Sequence, residues 1–226
     1  MRGAPPRPRA ILFDWDNTLV DNWLAIHVAL NAALAAMGHR TWSIEETLGR
    51  VRRSLRDSFP EMFGGRWKEA REIFYARFAA GHLETLKPLP GSAEMIASLA
   101  ETGVYLGVVS NKTGEYLRRE AAHLGWDRHF ARLVGATDAA EDKPAVAPVE
   151  LALEGSGIER GADVWFVGDG AIDMECAHNA GCYRVLLHRS AGRAEDIPPA
   201  HEANWRFEGC KELADLVRDL NRPYLI

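Results

Sequence analysis

Two aspartates separated by a single residue directly follow the first apolar run of the sequence. Asp14 and Asp16 come after the letters AILF in a chain of 226 residues. A carboxylate beside a hydrophobic core is costly unless it has a partner. Residues i and i+2 of an extended segment point to the same side, so both carboxylates can serve one site. The spacing therefore indicates a candidate catalytic or metal-binding pair.

Further polar residues follow later apolar runs: Ser110-Asn111, Lys143, Asp169 and Asp173. Clustered carboxylates repel one another unless a cation lies between them. Oxygen ligands without His or Cys are typical of Mg²⁺, which usually binds beside a phosphate. A hydroxyl and main-chain N–H groups where a strand leads into a helix, as at Ser110, would suit phosphate oxygens. A lysine near the carboxylates would neutralise an anion or a nucleophile.

The elements that would position these residues are short strands alternating with helices. The apolar runs are mostly continuous, which is typical of strands covered on both faces. Alternation of this kind predicts an α/β fold with a doubly wound, Rossmann-like parallel sheet. Ligands bind such sheets at the carboxyl ends of the strands, so we expect the polar residues to meet there. The predicted strands cover residues 10–15, 104–110, 132–136, 163–169 and 183–187.

Residues 21–87 break this alternation and have helical patterns throughout. They predict an all-helical insertion, while residues 1–20 and 88–226 would form the α/β core. Ser43 and Glu46 have the spacing of a capping box at the start of a helix over 43–59. On that helix an arginine-rich run would lie opposite an apolar face. It is either a solvated face or a source of substrate contacts, for which Arg52 and Arg53 are the candidates.

The composition limits the kinds of partner to expect. An apolar fraction of 47% and a charged fraction of 26% are ordinary for a globular protein. The formal net charge of -5 gives no reason to expect nucleic acid. No apolar run is long enough for a membrane span or a secretory signal. Three cysteines without metal-binding spacing favour free thiols in the cytoplasm. The oligomeric state cannot be read from these features.

Taken in order, the motifs resemble those of the haloacid dehalogenase superfamily. "DWDNT" is similar to its D-x-D-x-T motif, "VVSN" to its second motif, "KP" at 143–144 to its third, and "GDGAIDM" to its fourth. The helical insertion resembles the C1 cap of this family. The resemblance covers nearly the whole chain.

The resemblance implies a role for each matching residue. Asp14 would be the nucleophile that forms a phosphoaspartate, and Asp16 the general acid and base. Thr18, Ser110 and Lys143 would assist them. Mg²⁺ would be the cofactor, held by Asp14, Asp16 through its main-chain carbonyl, Asp169 and Asp173. Trp15 and Asn111, together with Arg52 and Arg53 of the insertion, would contact the substrate.

Asp16 favours phosphoryl transfer, because the dehalogenase branch lacks an aspartate two residues after the nucleophile. The arrangement most resembles the phosphoglycolate phosphatase group, which hydrolyses small phosphate esters. A sugar phosphomutase and a catalytically idle binding module are the alternatives. Three site residues also have simpler explanations: Ser110 as a helix N-cap, Asp173 as a first-turn residue favoured by the helix dipole, and Thr18 as a turn hydroxyl.

Overall fold

The computed structural model describes residues 4–51, 53–187 and 197–222. The chain divides into two compact units, one made of Met1–Leu19 with Pro88–Ile226 and the other of Val20–Lys87. Among the described residues, no helix combines the length and the apolar character needed to cross a membrane. The larger unit carries the parallel sheet, and the smaller unit is mainly helical.

Six parallel strands form the main sheet, in the order β5-β4-β1-β6-β7-β8. The predicted doubly wound parallel sheet is therefore confirmed. Strand β8 was not predicted, since three residues are too few to stand out as an apolar run. The strands are β1 (Ala10–Phe13), β2 (Val20–Asp21), β3 (Lys87–Pro88), β4 (Tyr105–Thr113), β5 (Arg132–Ala136), β6 (Val164–Gly168), β7 (Tyr183–Leu187) and β8 (Trp205–Phe207).

Helices connect the strands of the larger unit and cover the sheet. The α-helices of both units are α1 (Trp23–Ala36), α2 (Ile44–Arg50), α3 (Leu55–Phe63), α4 (Trp67–Ala79), α5 (His82–Thr85), α6 (Ser92–Glu101), α7 (Gly114–His123), α8 (Ala147–Leu153), α9 (Ala171–Asn179) and α10 (Cys210–Asn221). Ala10 and Leu12 of β1 pack in one core cluster with residues of α8 and α9. Ile11 and Phe13, which point the other way, are equally inaccessible. The continuous apolar run thus reflects a strand covered on both faces.

Four helices of the larger unit are followed by a glycine with positive φ, as a C′ position requires: Gly103, Gly125, Gly155 and Gly181. The three cysteines, Cys176, Cys182 and Cys210, are buried free thiols.

Strand β4 is irregular where it reaches the carboxyl end of the sheet. Its register with β5 shifts between Val109 and Thr113, so three residues of β4 face a single residue of β5. That residue is Gly135, on which a Cβ would lie 2.5 Å from the carbonyl oxygen of Lys112. Only a glycine allows this close approach of the two main chains. The irregularity changes the direction in which the residues after Val109 point.

The smaller unit contains α1 to α5, and the short strands β2 and β3 pair with each other. The capping box of Ser43 and Glu46 is present at the start of α2. The single helix predicted over 43–59 is wrong, because α2 ends at Arg50 and α3 begins at Leu55. Ser54 explains the break, since its side chain accepts a hydrogen bond from the Asp57 N–H and caps the new helix.

Candidate active site

The centre of the site is a buried lysine between two aspartates. Lys143 Nζ donates to Asp14 Oδ1 at 2.6 Å and to Asp173 Oδ1 at 2.7 Å. The Lys143 side chain is 2% exposed. Asp14 follows β1 and Asp173 lies in the first turn of α9, so the lysine joins two neighbouring parts of the sheet edge. An ammonium in this position offsets the repulsion between the two carboxylates.

A second set of contacts connects the turn after β1 with Asp169. Thr18 Oγ1 donates to Asp14 Oδ2 at 3.1 Å and lies 3.4 Å from Asp169 Oδ1. The Asn17 side-chain amide donates to the other Asp169 oxygen. Asn17 has a φ of 64°, which asparagine tolerates better than most residues. Thr18 is fully buried at the carboxylates, so its hydroxyl does more than complete a turn.

The residue before Asp169 must be a glycine for a steric reason. A Cβ on Gly168 would lie 2.3 Å from the Asp173 Cβ, which is too close for two carbon atoms that are not bonded to each other. The carboxylate of Asp173 also accepts a hydrogen bond from the Gly170 N–H at 3.1 Å. Asp173 therefore satisfies the helix N-terminus with one oxygen and Lys143 with the other. The start of α9 and the contact with Lys143 both favour an aspartate at this position, and its metal-binding role stays a prediction.

Asn111 has a positioning role that the sequence did not reveal. Its side chain accepts a hydrogen bond from the Lys143 N–H at 3.0 Å and donates to the Lys143 carbonyl at 3.2 Å. The next peptide bond, Lys143–Pro144, is cis. Asn111 thus fixes the main chain that carries the lysine, and its predicted contact with substrate stays a prediction.

A second buried lysine, Lys112, forms an ion pair with Asp16. Lys112 Nζ donates to Asp16 Oδ1 at 2.7 Å and to Glu120 Oε2 at 2.6 Å. The indole N–H of Trp15 donates to the same Glu120 oxygen at 2.8 Å. Lys112 and Glu120 were missed as site residues. The only available signal was the position of a scarce residue type, Lys112, directly after "VVSN"; Glu120 looks like an ordinary residue of a charged helix.

The pKa values reflect burial and repulsion at this edge. Burial, followed by the charges of Asp173 and Asp14, raises the pKa of Asp169 to about 7. Burial also raises the pKa of Asp173 and of Asp16 to about 6, against the opposing effect of their lysines. Burial alone would lower the pKa of Lys143, but the charges of Asp14 and Asp173 raise it above its ordinary value. The ionised form of these three carboxyl groups is therefore less favourable here than in water.

Three of these carboxylates fit a divalent metal ion. Asp14, Asp169 and Asp173 each offer an oxygen, and the three atoms lie within 4.8 Å of one another. A set of carboxylate oxygens alone suits a hard cation. A divalent cation would also counteract the burial and the repulsion that raise the pKa of Asp169. Among the described residues, both the donor atoms and their charge therefore indicate one metal position, formed by Asp14, Asp169 and Asp173.

The other predicted residues have different surroundings. The Ser110 hydroxyl accepts a hydrogen bond from the Lys112 N–H at 3.1 Å, whereas the N-cap of α7 is Thr113, so Ser110 is not the helix cap. The Trp15 side chain is fully buried, which leaves only its main chain for a substrate. Arg53 belongs to the helical unit, where it forms an ion pair with Glu61. Arg52 lies outside the described residues.

A parallel sheet with aspartates after its central strand defines an α/β protein with a carboxylate-based site. The family model described as haloacid dehalogenase-like hydrolase matches residues 11–187, well over half of the chain. The chain therefore belongs to the haloacid dehalogenase-like hydrolases, as its motifs predicted.

Individual relatives agree with the family. A phosphoglycolate phosphatase of Xylella fastidiosa (strain 9a5c) is 30% identical over 206 residues, which cover 89% of each chain. One from Photorhabdus laumondii subsp. laumondii is 32% identical over 198 residues, or 84% of each chain. A solved haloacid dehalogenase-like hydrolase from Streptococcus pneumoniae has a TM-score of 0.81 at 20% identity, covering 92% of this chain and 98% of that one. The structural likeness concerns the fold.

Proposed function

We propose that the protein is a Mg²⁺-dependent phosphomonoester hydrolase that acts on a small phosphoglycolate-like metabolite through a phosphoaspartate on Asp14. The main support is the pairing of two aspartates, Asp14 and Asp16, with two different buried lysines. This arrangement provides a nucleophile and a separate acid within one short segment, each paired with its own lysine. The relatives named phosphoglycolate phosphatase indicate the class of substrate.

The proposed reaction has two steps at Asp14. An oxygen of the Asp14 carboxylate attacks phosphorus, and the bond from phosphorus to the leaving oxygen breaks while Asp16 protonates that oxygen. Water then attacks the phosphoaspartate, Asp16 takes a proton from it, and inorganic phosphate leaves with Asp14 restored. Lys143 pairs with Asp14 and offsets negative charge on the phosphoryl group.

Mg²⁺ would be held by Asp14, Asp169, Asp173 and the main-chain carbonyl of Asp16. When bound, it would stabilise negative charge on the transferring phosphoryl group. Asn17 and Thr18 hold Asp169 and Asp14 in place for this role.

The test is phosphate release from 2-phosphoglycolate and from a panel of small phosphorylated metabolites, with Mg²⁺ and with EDTA. Wild type should turn over with Mg²⁺, and Asp14→Asn should lose about 10⁴-fold or more of kcat. Asp215→Asn, at an exposed carboxylate on α10, is the matched control and should behave as wild type.

Three results would count against this function. No phosphate release from any metabolite would refute hydrolysis, and unchanged turnover by Asp14→Asn would refute the nucleophile. Isomerisation of a sugar phosphate in the presence of a bisphosphorylated activator would identify a phosphomutase instead.

A further inference from the structure

The proposed reaction makes no use of the buried carboxylate of Glu120. Its side chain is inaccessible to solvent, and that of Lys112 is 5% exposed. Burying charges requires compensation, and a buried pair usually stabilises a fold no better than apolar residues would. Both groups bond toward the turn after β1, through Asp16 and Trp15. Stability alone therefore does not account for their position.

We infer that Lys112 and Glu120 are positioning residues that hold the Asp16 carboxylate in the orientation needed for proton transfer to the leaving group. This inference rests on the proposed function, since it concerns the acid of that reaction. It extends the proposed site by two residues that do not touch the reacting atoms.

These contacts hold two consecutive residues of the turn after β1, Trp15 and Asp16. Lys112 holds the Asp16 side chain, while Glu120 holds both Lys112 and the indole of Trp15. The Trp15 ring in turn packs edge-on against Trp126, with ring centroids 5.8 Å apart. Residues 15 and 16 are thus both tied to the same carboxylate–ammonium pair.

Lys112 itself has little freedom. It lies in the irregular end of β4, where its N–H donates to Ser110 Oγ and its carbonyl passes close to Gly135. Glu120 is supplied by α7, which packs on β4 and β5. Asp16 is the most accessible member of the set, with 21% of its side chain exposed. The network is therefore rigid on its inner side and open only at the carboxylate that must meet a substrate.

Leaving-group dependence tests this role. An alkyl phosphate needs a proton on its leaving oxygen, whereas 2,4-dinitrophenolate leaves without one. Lys112→Met should lower kcat/KM for 2-phosphoglycolate by about 10²-fold, the lower range of general acid catalysis, and for 2,4-dinitrophenyl phosphate by about 3-fold or less. Glu120→Gln, which keeps the shape of the side chain, should show the same pattern with a smaller loss.

Controls separate positioning from general damage. Lys211→Met removes an exposed lysine that pairs with Asp215 and should leave both substrates unaffected. If Lys112→Met does not fold, the double variant Lys112→Met/Glu120→Met removes both buried charges together and replaces it in the assay. A crystal structure of the folded variant should show the Asp16 carboxylate displaced from its present position.

The outcomes distinguish this inference from the function on which it rests. Equal losses for both phosphates, no loss, or an unmoved Asp16 would overturn the positioning role. Asp16→Asn belongs in the same assay: if it shows the selective loss and Lys112→Met does not, only the inference fails. If Asp16→Asn also lacks the selective loss, the assignment of the general acid fails as well.

Discussion

Two buried lysines of this protein have the same immediate environment and different expected roles. Lys143 and Lys112 each lie between two carboxylates at distances of 2.6 to 2.7 Å. Both partners of Lys143, Asp14 and Asp173, belong to the proposed reaction site. Lys112 has one partner there and the other, Glu120, in the interior. The difference shows that the role of a lysine between two acids depends on whether both acids belong to the reaction site.

Among the lysine substitutions, removing Lys143 should have the largest effect on turnover. In Lys143→Met, Asp14 and Asp173 face each other without their common cation, and the transferring phosphoryl group loses a positive charge. We expect kcat to fall by about 10³-fold for alkyl and aryl phosphates alike, because charge stabilisation does not depend on the leaving group. Steady-state kinetics with 2-phosphoglycolate and 2,4-dinitrophenyl phosphate measures this. A loss confined to the alkyl phosphate would erase the difference between the two lysines.

The stability of the buried Lys112–Glu120 pair provides a second test of the difference between the two lysines. Lys112→Met should lower the free energy of unfolding by about 3–5 kcal/mol, because Glu120 stays buried without its cation. The double variant Lys112→Met/Glu120→Met should recover most of that loss. Urea unfolding of wild type, both single variants and the double variant forms the cycle. Additive losses would show that the two residues do not act as a pair.

In the absence of a divalent cation, we expect the free energy of unfolding to depend moderately on pH. The pKa of Asp169, raised by burial to about 7, means that the folded protein binds more protons than the unfolded chain above the ordinary pKa of 3.8. The stability contributed by this protonation is present at low pH and is lost as pH rises through the folded pKa. We expect a decrease of about 2 kcal/mol between about pH 5 and about pH 8.

Chemical unfolding at several pH values, with EDTA and then with Mg²⁺, measures this dependence. Asp169→Asn should make the dependence less steep, leaving the smaller part that Asp16 and Asp173 contribute through their raised pKa values, and Mg²⁺ should flatten it in wild type. An equally steep curve for Asp169→Asn would assign the pH dependence to other groups.

The smallest effect is expected at the exposed lysine that serves as the reference. Lys211 has 88% of its side chain exposed and pairs with Asp215 one turn along α10. Because such pairs are screened by solvent, Lys211→Met should change neither turnover nor the unfolding midpoint measurably. A clear change would mean that removing any lysine perturbs the protein, and the contrast between the buried lysines would lose its reference.

The sequence determined the α/β core because its strands are continuous apolar runs and its helices end in glycines that need positive φ. It also identified Asp14, Thr18, Lys143, Asp169 and Asp173, since each falls in a short motif after a strand. The helix predicted over 43–59 failed because helical periodicity continues through Ser54, while the competing cap hydrogen bond at Ser54 is local and inconspicuous.

Which lysine forms an ion pair with which aspartate could be learned only from the tertiary structure. The sequence separates Asp16 from Lys112 by 96 positions and Lys112 from Glu120 by 8, and neither interval has a periodic signal. The pairing depends on the register shift in β4, on the close passage allowed by Gly135, and on the packing of α7. Local sequence specifies strands and turns through short-range propensities. A buried ion pair between distant residues exists only once the sheet has brought their main chains together.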